Sequence, residues 1–230
     1  AVKLENSAGL FKKRNNMKKV FSLIAFLFIA VSAFCQIDAK SVEILDKMSN
    51  IYKNSTGTEL GLKIELEDGQ SGVSNSIKGS LKTKGNAFVL ETSLANMTFD
   101  GKYLYVYNKE ANEITVSAPA PEEIQGIDPT SILGGYKKGY KVTAPEFKTE
   151  AGREIAVVSL FPEDIEDPFF KTTISVDAKT YEPVGVSTHN KNGMISTINI
   201  TKLKTNLNYT AKDLEFDLNK YPKAMLIDLR

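Results

Sequence analysis

The sequence predicts an α+β fold. About ten strands form an antiparallel domain with one leading N-terminal helix and one helical interruption midway. Three observations predict it. From Glu59 onward apolar and polar residues alternate in run after run, the period-two signature of strands with one dry face and one wet face. Turn signals such as Asp68-Gly69, Lys84-Gly85-Asn86 and Lys191-Asn192-Gly193 separate those runs. Helical and strand patterns do not alternate regularly, as a parallel α/β sheet would require.

The chain has 230 residues, and the first 35 are set apart. Met17 is followed by Lys18-Lys19, by an apolar run from Val20 to Val31, and by small residues up to Cys35. A positive start, a short apolar run and small residues at a cut site make a secretory signal peptide. The run is too short for a membrane span, which needs roughly 20 residues. Cleavage is expected between Cys35 and Gln36, so residues 1–35 form an upstream extension plus signal peptide starting at Met17. Residues 36–230 form one domain of ordinary size. Cys35, the single cysteine, stands where a lipoprotein's acylated cysteine would stand, but Phe34 before it is bulky where a lipobox needs a small residue. A chain cut after Cys35 holds no cysteine, so its fold rests on its core alone. Residues 1–35 contain six of the 29 basic residues and one of the 28 acids, which leaves 23 against 27 and a net charge of −4. That balance argues against nucleic acid as a partner.

The elements follow in order. Asp38 to Lys53 places Val42, Leu45, Met48 and Ile51/Tyr52 on one helical face, with Asp38 or Ser41 as cap. "ELGLKIELED" puts Leu60, Leu62, Ile64 and Leu66 on the dry side of a strand. Val73–Thr83 and Ala87–Leu94 are the next two strands. In "MTFDGKYLYVYNKEANEITVSAP", Phe99, Leu104, Val106, Ile114 and Val116 are expected to point one way and Tyr103, Tyr105, Tyr107 and Thr115 the other, around a turn at Asn108–Asn112. The pattern then breaks over Pro121–Gly139, whose prolines and glycines frame Ile124, Ile127, Ile132 and Leu133 at irregular helical spacing, and one or two short helices are expected between strands there. Strands are expected again near 141–149, 154–161, 171–177, 184–190, 194–203 and 214–218.

Residues for catalysis are few. His189 is the single histidine, and a lone histidine on a strand is most often structural. Clustered Cys/His zinc ligands, nucleophile elbows and phosphate-cradling loops are all missing from the sequence. Glu163, Asp164, Glu166 and Asp167 lack calcium-loop spacing and read as a solvated loop. Tyr103, Tyr105 and Tyr107 suit stacking on a sugar or base, but aromatic packing on a sheet face explains them without a ligand.

Two stretches, "GSLKTKGNAFVLE" and "MTFDGKYLYVYNKEANEITVSAP", together with the closing "DLEFDL" and "KYPKAMLIDLR", resemble the periplasmic outer-membrane lipoprotein carriers, the LolA family. The Asp100-Gly101-Lys102 turn leading into the aromatic strand Tyr103–Asn108 carries most of the likeness. The resemblance implies an open, half-closed antiparallel β-barrel with short lid helices over its concave face, and a monomeric periplasmic carrier without cofactor or chemical step. It takes acylated lipoproteins from an inner-membrane exporter and delivers them to the outer membrane or an acceptor there. It implies an acyl-chain cavity lined by Leu62, Ile64, Leu81, Phe88, Leu90, Phe99, Leu104, Val106, Ile114 and Val116. Ile124, Ile127, Ile132 and Leu133 would form a movable lid, though ordinary core packing explains them equally well. The family's arginine-proline turn is replaced here by Lys84-Gly85-Asn86, which leaves Lys84 as the candidate lid latch without arginine's planar fork. Burying a CH₂ is worth about 0.8 kcal/mol, so a chain of roughly sixteen carbons needs shelter worth on the order of 10 kcal/mol. An anchored acceptor tethered through Cys35, a carrier of another lipid, and a secreted enzyme using His189 or the Glu163–Asp167 acids are the alternative readings.

Overall fold

In the computed structural model, residues 37–120, 123–124, 136 and 139–230 are described. The expected extension and signal peptide, with Met17 and Cys35, lie outside the described residues, as do Ile127, Ile132 and Leu133.

Helix α1 spans Ala39–Lys53. Asp38 caps it by accepting from the Ser41 N–H at 2.8 Å. Ser41, the other candidate cap, is buried and instead donates its hydroxyl to the Thr143 carbonyl at 2.6 Å. That bond fixes the start of α1 against the sheet. Ile44, Leu45 and Met48, at helical spacing, form its buried face.

Thirteen strands follow among the described residues: β1 Thr58–Asp68, β2 Ser74–Lys84, β3 Ala87–Thr92, β4 Ala95–Phe99, β5 Leu104–Asn108, β6 Glu113–Ser117, β7 Tyr140–Val142, β8 Glu146–Glu150, β9 Arg153–Pro162, β10 Phe169–Asp177, β11 Pro183–Asn190, β12 Met194–Lys204 and β13 Met225–Asp228. They form one sheet in the order β13-β6-β5-β4-β3-β2-β1-β12-β11-β10-β9-β7, with β8 also paired to β9. The sheet does not close, since β13 and β7 stand at opposite ends of it. It consists of two consecutive antiparallel meanders, β1–β6 and β9–β12, joined along the β1–β12 seam.

Four expectations are corrected. The strand count is thirteen rather than about ten. The strand expected over 141–149 is two strands, divided at Pro145, which has no N–H to give a ladder. Residues 214–218 are not a strand: short 3₁₀ turns at Ala211–Leu214 and Leu218–Lys220 flank Phe216, held by Asp213 and Asp217 bonding to nearby backbone. The final strand, β13, runs parallel to β6 in an otherwise antiparallel sheet.

A fifth correction concerns faces. The β5–β6 register sets Tyr107 opposite Ile114 and Tyr105 opposite Val116. Residues directly opposite share a face. Ile114 and Val116 therefore lie with Tyr105 and Tyr107, away from Phe99, Leu104 and Val106. Both are 2% exposed on this back face.

Candidate functional site

The inner face is laid down by pairing alone. Leu62 stands beside Ile200, and Ile64 lies between Ile77 and Ile198. Leu81, Leu90, Met97 and Val106 run in line across β2–β5, and Phe88, Phe99 and Leu104 form the next row. The Phe88 and Phe99 rings meet at 6.0 Å between centroids, a tilted aromatic pair. Eight of the ten residues expected to line an acyl-chain cavity thus share this face: Leu62, Ile64, Leu81, Phe88, Leu90, Phe99, Leu104 and Val106. Ile114 and Val116 do not.

Two apolar clusters occupy the face. One lies under α1: Ile44, Leu45 and Met48 pack with Ala156, Val158, Ile174, Val176 and Val186 of β9–β11. Leu45 and Met48 are 0% exposed, so this half is a filled core. The other lies on β1–β5. Leu60, Leu62, Leu81, Phe88, Phe99 and Leu104 are buried, but Ile64, Leu90, Met97, Val106, Ile198 and Ile200 around them are only half-buried. The buried face of α1 does not cover it. Tyr52, near the end of α1, packs against both clusters. Burial, reinforced by the Glu182 carboxylate, pushes its phenol pKa well above the ordinary value.

Residues 118–139 connect β6, near one end of the sheet, to β7 at the other. Two described residues of this crossing reach the inner face. Ile124 packs against the β1–β5 cluster, next to a turn in which the Ala120 N–H donates to the Glu123 carboxylate at 2.7 Å. Tyr136 is buried in the cluster under α1 and donates its hydroxyl to Asp46 at 2.5 Å. Burial and that bond to a carboxylate push the Tyr136 phenol pKa upward. The crossing is therefore pinned in the filled half and reaches the half-filled one through Ile124.

Lys84 closes β2, and its amino group bonds to the Tyr209 carbonyl. Among the described residues this tie is to the C-terminal segment rather than to the crossing. That segment covers the back face. Phe216 stacks on Tyr105 at 5.1 Å, Tyr221 packs on Tyr107 at 4.1 Å, and the two tail rings stack on each other at 5.4 Å. Protein aromatics, not a ligand, thus occupy Tyr105 and Tyr107. Elsewhere the back face is charged: Glu59 pairs with Lys202 and Lys204, and Lys63 with Glu65.

His189 pairs beside Lys171 on β10 and packs its ring on Phe170 at 5.7 Å. Burial, then the Lys171 charge, lowers its pKa. Of the loop acids, Asp164 accepts from the Glu166 N–H and Asp167 from the Phe169 N–H, each at 2.8 Å, so both shape the loop. Among the described residues no group of three His, Cys, Asp or Glu is placed to hold a metal ion. Sequence reasoning missed Tyr136, Phe216 and Tyr221. Tyr136 and Tyr221 are isolated aromatics where no period assigns a face, and Phe216 stands in a stretch whose alternation imitates a strand.

A large open antiparallel sheet with one N-terminal helix and one apolar face defines a LolA-like protein. The chain belongs to the family described as outer membrane lipoprotein carrier protein LolA, which it matches over residues 31–194. No curated protein matches it. Among solved structures it shares a fold with an uncharacterized conserved protein from Thermus thermophilus, at 10% identity and a TM-score of 0.55, covering 82% of this chain and 99% of that one. It is similar to the Mycobacterium tuberculosis lipoprotein LppX, at 12% identity and a TM-score of 0.48, over 75% of this chain and 100% of the other. It is also similar to a LolA superfamily protein from Nitrosomonas europaea, at 12% identity and a TM-score of 0.43, over 77% and 98%.

Proposed function

We propose that this protein is an exported, periplasmic carrier that shelters the acyl chains of lipoproteins on the inner face of β1–β5. It receives them from an inner-membrane exporter and releases them at the outer membrane or to an acceptor there. Proteins of its family are carriers or binders rather than enzymes, and the reading needs no chemical step. The observation that carries it is the contrast along one face: a core filled by α1 on one side, and on the other a row of half-buried apolar side chains against which Ile124 packs. Residues that await a guest must be apolar yet incompletely covered, because a close-packed interior has no room for one. In this reading residues 118–139 act as the lid. Ile124, and with it Ile127, Ile132 and Leu133, covers the empty face and yields to acyl chains. The lid moves about its anchor at Tyr136.

The test is mass spectrometry of what co-purifies with the exported protein from envelope extracts. Acylated lipoprotein is expected. Free glycerophospholipid alone would replace lipoprotein by another lipid as cargo, and a protein free of lipid would remove the carrier reading.

A further inference from the structure

Two buried side-chain polar atoms among the described residues lack a hydrogen-bond partner, the Tyr52 hydroxyl and Asn96 Oδ1. Asn96 lies opposite Tyr107 on the back face, where its amide donates to the Tyr221 hydroxyl at 3.0 Å. Tyr52 is the one on the inner face. Its ring touches the filled cluster on one side and the half-filled cluster on the other. A phenol in such a place suits packing with its ring, but its hydroxyl is a buried donor left unmade, which disfavours the empty protein. The raised phenol pKa keeps that hydroxyl protonated. Phenylalanine would fill the same space without the penalty. The Glu182 carboxylate acts on the phenol through its charge but accepts no hydrogen bond from it, so a ligand that relieves the hydroxyl must bring an acceptor of its own to the border of the apolar cluster. An ester-linked acyl chain has that form, a hydrocarbon with one carbonyl at its root.

We propose that Tyr52 is a specificity-determining residue that donates its hydroxyl to an ester carbonyl of a diacylglyceryl group whose chains lie along the β1–β5 cluster, selecting ester-linked acyl chains over plain hydrocarbon. This rests on the carrier reading above and adds which atom of the cargo is recognised. One new hydrogen bond to a desolvated donor corresponds to roughly tenfold in affinity.

The experiment compares the wild-type protein with Tyr52→Phe by fluorescence displacement, using a dipalmitoyl-ester lipopeptide and its dialkyl-ether analogue of equal chain length. The wild type should prefer the ester about tenfold. Tyr52→Phe should lose that preference and bind the ether as the wild type does, and the melting temperature of the lipid-free variant should hold or rise. An undiminished ester preference in Tyr52→Phe, or equal binding of both probes by the wild type, overturns the assignment while the carrier reading stands. Failure of the wild type to bind either probe overturns the carrier reading and the assignment with it.

Discussion

The two halves of the inner face are made from the same alternating strands and differ in their cover. Over β9–β11 a regular helix presents three apolar side chains in phase with the sheet, and nothing between them is left exposed: Leu45, Met48, Val158 and Ile174 are all 0% exposed. Over β1–β5 the described contacts from outside the sheet are Tyr52 and Ile124, and Ile64, Leu90, Met97 and Val106 of the sheet stay half-buried. Strand alternation therefore makes an apolar face but does not decide whether that face becomes core or binding surface. The complementarity of the opposing layer decides it. Over β9–β11 a helix with matching 3.6-residue period seals the face, whereas over β1–β5 the described contacts leave Ile64, Leu90, Met97 and Val106 half-buried.

Substitutions that separate stability from binding test this contrast. Met48→Ala should be the most damaging. It opens a cavity in the filled half and should cost about 2–5 kcal/mol in urea unfolding. A cost near zero would mean that the α1 half is as loosely packed as the other. Phe216→Ala removes the ring stacked between Tyr105 and Tyr221. It should cost about 1–2 kcal/mol and leave lipid capture unchanged, because it acts on the back face. Impaired capture there would assign the aromatic stack to the binding surface after all. Leu90→Gln should cost least, about 1 kcal/mol or less in stability, since Leu90 is half-buried. It should nonetheless weaken capture of a palmitoylated lipopeptide about tenfold, by removing apolar contact area from the surface the guest covers. Loss of stability without loss of capture at Leu90 would turn the open half into ordinary core.

Much of this contrast was legible in the residues. The alternation in "ELGLKIELED" and in Phe88–Val106 puts seven residues, Leu62, Ile64, Phe88, Leu90, Phe99, Leu104 and Val106, on the face where the strand pairing also sets them, because strand parity is a local property. Ile114 and Val116 went to the wrong face for a physical reason. Their own alternation is clear, but the phase of β6 against β5 is set by the turn, and pairing Asn108 with Glu113 places Ile114 beside Tyr107. The apolar spacing of Leu214, Phe216 and Leu218 imitates a strand. Asp213 and Asp217 bond the local backbone instead, which bends the segment into turns that deliver Phe216 to Tyr105. The parallel partner of β13 was not readable at all, since "MLID" carries no mark of which edge it joins. The filled half was hidden too, because which strands α1 covers depends on contacts more than a hundred residues apart, such as Ser41 with Thr143.

The seam between β1 and β12 gives the architecture an order in time. Each meander is stitched from neighbours in sequence and closes locally as the chain is made, but the strip that welds them waits for residues some 130 positions downstream. Helix α1 precedes every described strand, is matched to strands of the second meander and has no apolar bed until they arrive. The half-buried face of β1–β5 is thus largely assembled before the core under α1. During that interval the greasy stripe of Ile44, Leu45 and Met48 is unroofed, and the nascent protein is at its most adhesive.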